Sequence, residues 1–179
     1  MKKVIFMAGA YGVGKSTLGN KISNSLNIPF YSAGDLISEI NKETYGANKV
    51  VRDKHDNQNI LIKAVESKLS NEPSIILAGH FCIFNKDNEV EYIPEFVFQQ
   101  IYLTQIVLLE AESEIIRDNL RKRDDKEYSK ELINKLIKLE HDSAEKIANK
   151  LNIPLVIHKM QFNQSDLSII EGVRLWELY

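Results

Sequence analysis

The 179-residue sequence has little of what marks secreted, fibrous or membrane-spanning chains. Its single cysteine, Cys82, excludes an intramolecular disulfide framework and a cysteine-rich metal cluster. No run of about 20 apolar residues is present, so no segment is long enough to cross a bilayer. Basic and acidic residues nearly cancel, and the formal net charge of −2 at pH 7 gives no general attraction to nucleic acid or membranes.

What remains is an ordinary globular composition, for which we expect one domain over residues 1–179. The lone cysteine suits a reducing, cytoplasmic setting. Met1-Lys2-Lys3 and the apolar residues after it imitate a secretion signal only faintly, since a glycine-rich stretch and Lys15 interrupt them. We therefore interpret that start as a core strand, and we expect a small-molecule nucleotide partner, neither nucleic acid nor membrane, and a monomer or homodimer.

Residues 9–16 match the phosphate-binding pattern G-x-x-x-x-G-K-[ST]. The β-forming run 3–8 precedes the pattern and the amphipathic run 15–26 follows it, which is the required order of strand, loop and helix. Lys15 is predicted to reach the β and γ phosphates of ATP and Ser16 to ligate Mg²⁺. The predicted nucleotide-binding residues are Gly9, Ala10, Tyr11, Gly12, Val13, Gly14, Lys15, Ser16 and Thr17.

Apolar runs alternate with helical patterns along the chain, at residues 3–8, 28–32, 74–78, 104–109 and 154–158. Several runs are continuously apolar, as expected for parallel strands covered on both faces. The pattern predicts a three-layer α/β domain of the P-loop type, with a roughly five-stranded parallel sheet and helices on both faces.

Apolar stripes within the segments 60–69 and 132–151 predict two long helices. Ile169, Val173 and Trp176 predict a C-terminal helix that closes the domain. Turn-forming residues between two β-prone arms predict a small hairpin over residues 82–92.

Ligands of open parallel sheets bind outside the carboxyl ends of the strands. The side chains that follow the strands are Asp35, His80, Arg117, Arg121 and Arg123. Each has a structural alternative: the carboxylate can cap a helix, the imidazole can belong to the core, and the arginines can form surface pairs along their helix.

The order of these motifs resembles the adenylate-kinase branch of nucleoside monophosphate kinases, especially the short archaeal-type and nuclear adenylate-kinase-like proteins. The resemblance covers most of the chain and rests on the phosphate loop, Gly34-Asp35-Leu36, the run from His80 to Pro94 and the basic helix before a lid. It implies transfer of the γ-phosphoryl group of ATP to a nucleoside monophosphate, with Mg²⁺ as the metal.

The resemblance also implies roles for individual residues around a short lid over 121–129. Lys15, Arg121 and Arg123 would be the catalytic groups that stabilise charge on the transferring phosphoryl group. Arg117 shares a helix face with Arg121 and is a weaker candidate for the same role.

Acceptor binding is expected over residues 34–70. Asp35 would contact the acceptor side and order Mg²⁺-bound water. Arg52 is the candidate for gripping the acceptor's phosphate, with an exposed loop charge as the alternative. His80 would contact the ligand or shuttle a proton.

Two departures from the family pattern keep other functions open. Ala78 stands where the family usually has an Asp that holds the metal's water shell, and Ser38 stands where an arginine is common. One alternative is a kinase of a small alcohol or of a polynucleotide 5′ end. Another is a nucleotide-binding regulatory module with weak ATPase activity.

Overall fold

The computed structural model describes residues 2–45, 54–85, 89–124 and 127–174. Arg52 and Trp176, both named above, lie outside these residues. The strands are β1 (Lys3–Ala8), β2 (Phe30–Ser32), β3 (Ser74–Ala78), β4 (Cys82–Phe84), β5 (Val90–Tyr92), β6 (Leu103–Glu110) and β7 (Leu155–Lys159). The helices are α1 (Lys15–Leu26), α2 (Ala33–Tyr45), α3 (Lys54–Asn71), α4 (Glu95–Gln100), α5 (Ser113–Asp124), α6 (Lys130–Leu151) and α7 (Ile169–Arg174), with a 3₁₀ turn (Gln164–Ser168) before α7.

Five strands form one parallel sheet in the order β2-β3-β1-β6-β7. The central strand β1 pairs with β3 on one side and with β6 on the other, and its residues from Val4 to Ala8 are buried. A continuously apolar strand is what two covered faces require. The predicted parallel sheet is confirmed, and its strands begin and end within two residues of the predicted positions.

Helices cover both faces of this sheet. Helix α1 packs against the C-terminal helical segment, whereas α4 contacts α3, α6 and β6. The predicted three-layer α/β architecture is therefore confirmed. No helix in the described part of the chain is both long and apolar enough to cross a membrane.

The remaining two strands form the predicted hairpin. β4 and β5 pair antiparallel outside the main sheet, with Cys82 opposite Tyr92. Because β4 follows β3 closely, the hairpin lies at the carboxyl edge of the sheet, where the phosphate loop also begins. This edge is where the candidate site is found.

Candidate functional site at the carboxyl edge of the sheet

The phosphate loop leaves the carboxyl end of β1 and enters α1. Gly9 has φ 139°, and a Cβ there would lie 2.4 Å from the Leu109 carbonyl oxygen, so only glycine fits. Gly14 caps α1 in the left-handed conformation, with φ 99°. Leu18 N–H donates to Gly14 O, so the amides of residues 15–17 precede the intrahelical ladder. A helix that starts this way is suited to binding an anion.

Lys15 folds back over the loop that carries it. Its Nζ donates to Gly9 O at 2.7 Å and to Ala10 O at 3.0 Å. Burial of the ammonium lowers the pKa of Lys15 to about 7, while the Glu140 carboxylate raises the pKa in part and Arg123 lowers it. The two carbonyl oxygens stand in for the phosphate oxygens that the loop pattern predicts as partners of this lysine.

A cavity of about 840 Å³ opens beside the loop. Lys15, Ser16 and Thr17, which follow the central strand β1, are among its lining residues. The part beside α5 and the segment after β7, here called the α5 end, is lined by Asn119, Arg123, Met160, Phe162 and Asn163. The part beside β2, β3 and the hairpin, here called the α3 end, is lined among others by Ser32, Ile37, Gln58, Leu61, His80, Ile83 and Phe98.

The predicted residues divide between this cavity and the surrounding surface. Of the loop, Tyr11, Gly12, Gly14, Lys15, Ser16 and Thr17 line the cavity, whereas Gly9, Ala10 and Val13 are buried and are not part of the lining. His80 and Arg123 also line it. Asp35 is exposed in the first turn of α2, where its N–H donates to Ser32 Oγ at 3.4 Å, and it is not part of the lining.

Arg121 also lies apart from the cavity lining. Its guanidinium is 3.3 Å from the Asp118 carboxylate, and both side chains are 60% exposed. Arg117 instead donates from Nε to Tyr128 O at 3.0 Å, so it braces the segment that enters α6. Residues 125 and 126 of the predicted lid lie outside the described residues, and the lid remains a prediction.

Asn119 contacts the phosphate loop, which the sequence did not predict. Its Nδ2 donates to Gly12 O at 2.9 Å and thereby ties α5 to the middle of the phosphate loop. Asn119 stands four residues before Arg123, so the two share one face of α5. This spacing is the signal that places both beside the loop.

Four rings form a row in which each ring contacts the next, and one of them, Tyr11, belongs to the phosphate loop. The row runs in the order His80, Tyr11, Phe84 and Tyr128. The ring centroids are 4.0 Å apart for Tyr11 and His80, 5.4 Å for Tyr11 and Phe84, and 5.7 Å for Phe84 and Tyr128. Burial lowers the pKa of His80 to about 4, and the neighbouring Lys15 charge acts in the same direction. His80 is therefore neutral at pH 7.

Glu140 is the second residue that the sequence reasoning missed. It lies on α6, is 1% exposed, and accepts hydrogen bonds from three backbone amides. Oε1 accepts from Phe81 N–H at 2.9 Å and from Cys82 N–H at 2.8 Å, and Oε2 accepts from Gly9 N–H at 3.2 Å. The signal was present, because Glu140 stands midway between Leu136 and Ala144 on a stripe that is otherwise apolar.

Asp166 shapes the α5 end in a similar way. It is 3% exposed and accepts from Gln161 N–H at 2.8 Å and Asn163 N–H at 3.1 Å, with His158 Nε2 also at 2.8 Å. Burial opposes ionisation, but these donors outweigh it and lower the pKa of Asp166. The ionised carboxylate fixes the turn that carries Phe162 into the cavity wall.

The described residues suit a metal that arrives with a phosphate ligand better than a protein-built metal cage. Among them, no cluster of three or more His, Cys, Asp or Glu side chains could hold a metal ion. Ser16 lines the cavity at the start of α1, and Ala78 is buried in its wall. Mg²⁺ commonly takes most of its ligands from phosphates and water and few from protein, which one serine hydroxyl satisfies.

Comparison with known proteins gives a family and a fold. The family model described as AAA domain (AAA_17) matches residues 8–136, more than half of the chain. The chain belongs to this family. Shikimate kinases from Brucella canis and Brucella abortus are 43% identical to it over 42 residues, which are 24% of this chain and 21% of those enzymes. The match thus spans about a fifth of the length of these curated relatives.

Solved structures share the fold over nearly the whole chain. The shikimate kinase from Acinetobacter baumannii in complex with shikimate has a TM-score of 0.60 at 12% identity, covering 99% of this chain and 93% of that one. The shikimate kinase from Bacteroides thetaiotaomicron has 0.55 at 22% identity, with 99% and 97% covered. A gluconokinase from Sinorhizobium meliloti 1021 has 0.55 at 14% identity, with 99% and 94% covered. The fold is that of P-loop kinases, and the adenylate-kinase branch remains a prediction.

Proposed function

We propose that this member of the AAA domain family is a phosphotransferase that uses ATP and Mg²⁺, with a nucleoside monophosphate or a related nucleotide as acceptor. The observation that carries the proposal is that one cavity is lined by Lys15, which follows the central strand β1, and by residues from both sides of that strand in the sheet. At about 840 Å³, the cavity is near the upper limit of about 1,000 Å³ for ligand pockets. ATP would occupy the loop and the α5 end, and the acceptor would occupy the α3 end.

In the proposed reaction, an oxygen of the acceptor forms a bond to the γ-phosphorus of ATP. The bond from that phosphorus to the β–γ bridging oxygen breaks, and ADP leaves. This reaction needs positioning and charge neutralisation more than covalent help from the protein. The loop amides and Lys15 would bind the phosphate oxygens, and Arg123 would add positive charge from the α5 side.

Mg²⁺, when bound with the nucleotide, supplies further neutralisation of phosphate charge. Ser16 is the residue proposed to ligate it, and Asp35 is proposed to order its water from the start of α2. The second role would require Asp35 to approach from an exposed position outside the cavity lining.

The chemistry of the α3 end supports a nucleotide as acceptor. Its wall is largely apolar, with Leu61 and Phe98 among the lining residues, which suits a base. Since α2, α3, α4 and the hairpin add no lysine or arginine to the described lining, Arg52 is the residue proposed to bind the acceptor's phosphate. Gln58 Oε1 is buried and has no hydrogen-bond partner among the described residues. A flat base with an N–H donor would cover the apolar wall and satisfy this oxygen. His80 is proposed to contact the acceptor as well.

A kinase of a small hydroxy acid is the second candidate. It is favoured by the 43% identity to shikimate kinases over 42 residues and by the fold shared with shikimate kinase and gluconokinase structures. Several hydroxyl groups would, however, need more hydrogen-bonding partners than the largely apolar wall of the described α3 end offers.

A coupled assay for ADP formation separates these functions. The purified protein is given Mg-ATP with AMP, CMP, UMP, GMP, dephospho-coenzyme A, shikimate or gluconate in turn. ADP formation that depends on one nucleotide supports the proposal. A response to shikimate or gluconate alone identifies an alcohol kinase. Equal slow hydrolysis with every compound and without acceptor identifies a nucleotide-binding module with weak ATPase activity.

A further inference from the structure

Glu140 bonds to two separate segments that border the cavity, the phosphate loop and the segment after β3. On one side its carboxylate accepts from the amide of Gly9, the first residue of the phosphate loop. On the other side it accepts from the amides of Phe81 and Cys82, which follow β3 and begin the hairpin. Gly9 and Glu140 are 131 residues apart in sequence, so the link exists only in the folded protein.

The geometry gives this carboxylate little freedom. Glu140 is 1% exposed and stands in the middle of the 22-residue helix α6, whose neighbouring stripe residues Leu136 and Ala144 are fully buried. Three backbone N–H donors are shared between its two oxygens, and hydrogen bonds to an ionised acceptor are about twice as strong as neutral ones. A rigid helix therefore fixes the positions of all three amides.

The carboxylate satisfies three backbone N–H groups that an apolar side chain at this position would leave without an acceptor. These amides belong to two segments that border the cavity. Gly9 begins the phosphate loop, and the buried Phe81 and Cys82 lie between the lining residues His80 and Ile83. A second contact joins the same two segments, since the Tyr11 ring packs against His80 with centroids 4.0 Å apart.

We propose that Glu140 is a positioning residue that fixes the phosphate loop and segment 80–82 to one another, so that nucleotide binding at the loop is transmitted to the α3 end. Binding reorients the loop amides toward a phosphate, and Gly9 N–H is the amide that the carboxylate holds. Any shift of Gly9 is shared with Phe81 and Cys82 through one rigid group. The meaning of this coupling for phosphoryl transfer rests on the proposed function, whereas the coupling itself does not.

Glu140→Gln is the informative variant. Its amide oxygen still accepts from Phe81 and Cys82, while its NH₂ group faces Gly9 N–H, so the link to the loop is the one that is lost. The opposite orientation would place NH₂ against two donors and is less favourable. Glu145→Gln is the matched control, because Glu145 lies on the same helix, is exposed, and pairs only with His141 at 3.4 Å among the contacts of the described residues.

The measurement is an NMR titration of ¹⁵N-labelled full-length protein with Mg-ADP. The amide signals of Phe81 and Cys82 are monitored at each addition. In the original protein and in Glu145→Gln, both signals should shift on saturation. In Glu140→Gln, these shifts should fall to less than about half of their original size. The reason is that the hydrogen bond to Gly9 is lost, so a movement of Gly9 no longer reaches Phe81 and Cys82 through residue 140. With the acceptor identified, kcat should fall about 10- to 100-fold in Glu140→Gln, while the KM for ATP changes much less.

Two results would overturn the proposal. One is that Phe81 and Cys82 signals stay fixed when Mg-ADP saturates the original protein, which needs no variant. The other is that Glu140→Gln folds and retains the full shifts and the full kcat. If Glu140→Gln does not fold, Glu140→Asp retains the charge on a shorter side chain and should weaken the same shifts. Normal coupling without transfer to any acceptor would support the positioning role and refute the proposed function.

Discussion

The two ends of the cavity are built in different ways. The phosphate loop is a contiguous stretch whose glycine conformations and backbone amides would form the anion site, as the left-handed Gly14 at the start of α1 illustrates. The α3 end is assembled from β2, α2, α3, the segment after β3, the hairpin and α4, and its wall is made of side chains. A local pattern specifies the first, whereas the packing of distant elements specifies the second.

This contrast explains why the donor side is better defined than the acceptor side. Main-chain amides recognise any polyphosphate tail, so the loop indicates a nucleotide with little dependence on its surroundings. In the proposed function, side chains of the α3 end would select the acceptor, and Arg52 lies outside the described residues. Changes on the two sides should therefore alter different kinetic constants.

The largest effect is expected at the loop itself. Lys15→Ala should lower kcat by about 100- to 1000-fold, because the cation that stabilises the transferring group is lost. The fold should persist, since the hydrogen bonds of Lys15 to described residues go to the Gly9 and Ala10 carbonyls of its own loop. Steady-state kinetics and thermal unfolding together check both statements. Lys63→Ala, which removes an exposed lysine from α3, is the control, and unchanged turnover in Lys15→Ala would contradict the assigned role.

Arg121 and Arg123 both lie on α5, but of the two only Arg123 lines the cavity. Replacing each in turn therefore separates a side chain at the cavity from one on the nearby surface. Arg123→Ala should lower kcat by about 10- to 100-fold, since Arg123 reaches the α5 end and lies close enough to lower the pKa of Lys15. Arg121→Ala should change kcat by less than about twofold, because its exposed pair with Asp118 is of a kind worth at most about 1 kcal/mol. Equal losses in the two variants would show that the lid brings both side chains to the phosphates.

The contrast between a local pattern and the packing of distant elements also explains which features the sequence predicts. The apolar runs and the loop pattern predict the sheet and the nucleotide-binding residues, because each depends on neighbours in sequence. Asn119, Glu140 and Asp166 escaped prediction because most of their partners are backbone amides or carbonyls, and a backbone partner leaves no residue type to recognise. The partners of Asn119 and Glu140 are also distant in sequence, since Gly12 is 107 residues from Asn119 and Gly9 is 131 residues from Glu140. The position of Glu140 within the apolar stripe of α6 indicates a buried carboxylate, but it does not indicate which groups the carboxylate contacts.

The α3 end is tested most directly at Gln58. Gln58→Ala should raise the KM for the acceptor about tenfold and leave the KM for ATP unchanged, because a hydrogen bond to the ligand is lost in a buried site. Asn59→Ala, an exposed neighbour on α3, is the matched control. Equal changes in the two Michaelis constants would place Gln58 outside the acceptor site and weaken the proposed division of the cavity.

The smallest effect concerns the segment where the two ends meet. His80 has a pKa of about 4 in the folded protein and an ordinary value of about 6.5 when unfolded, so the unfolded chain binds a proton first as the pH falls. The contribution of neutral His80 to the free energy of unfolding is thus fully present above about pH 6.5, and it is lost as the pH falls toward 4. The groups that face the ring are Lys15, Glu140 and Tyr11, and the nearest carboxylate oxygen, on Glu140, lies 3.7 Å from Nδ1.

His80→Phe isolates this contribution because phenylalanine keeps a ring against Tyr11 and cannot titrate. Urea unfolding at pH 7.5 and pH 6 should show a fall in the free energy of unfolding that is about 0.8 kcal/mol larger in the original protein than in the variant. The comparison cancels the other titrating groups, including His141, whose pKa its hydrogen bond to Glu110 raises and whose contribution therefore has the opposite sign. An equal pH dependence in the two proteins would mean that folding leaves the pKa of His80 unchanged. A smaller fall in the original protein than in the variant would mean that folding raises this pKa. In that case the contact with Glu140 would be an ion pair, and the carboxylate would hold the side chain of segment 80–82 as well as its backbone.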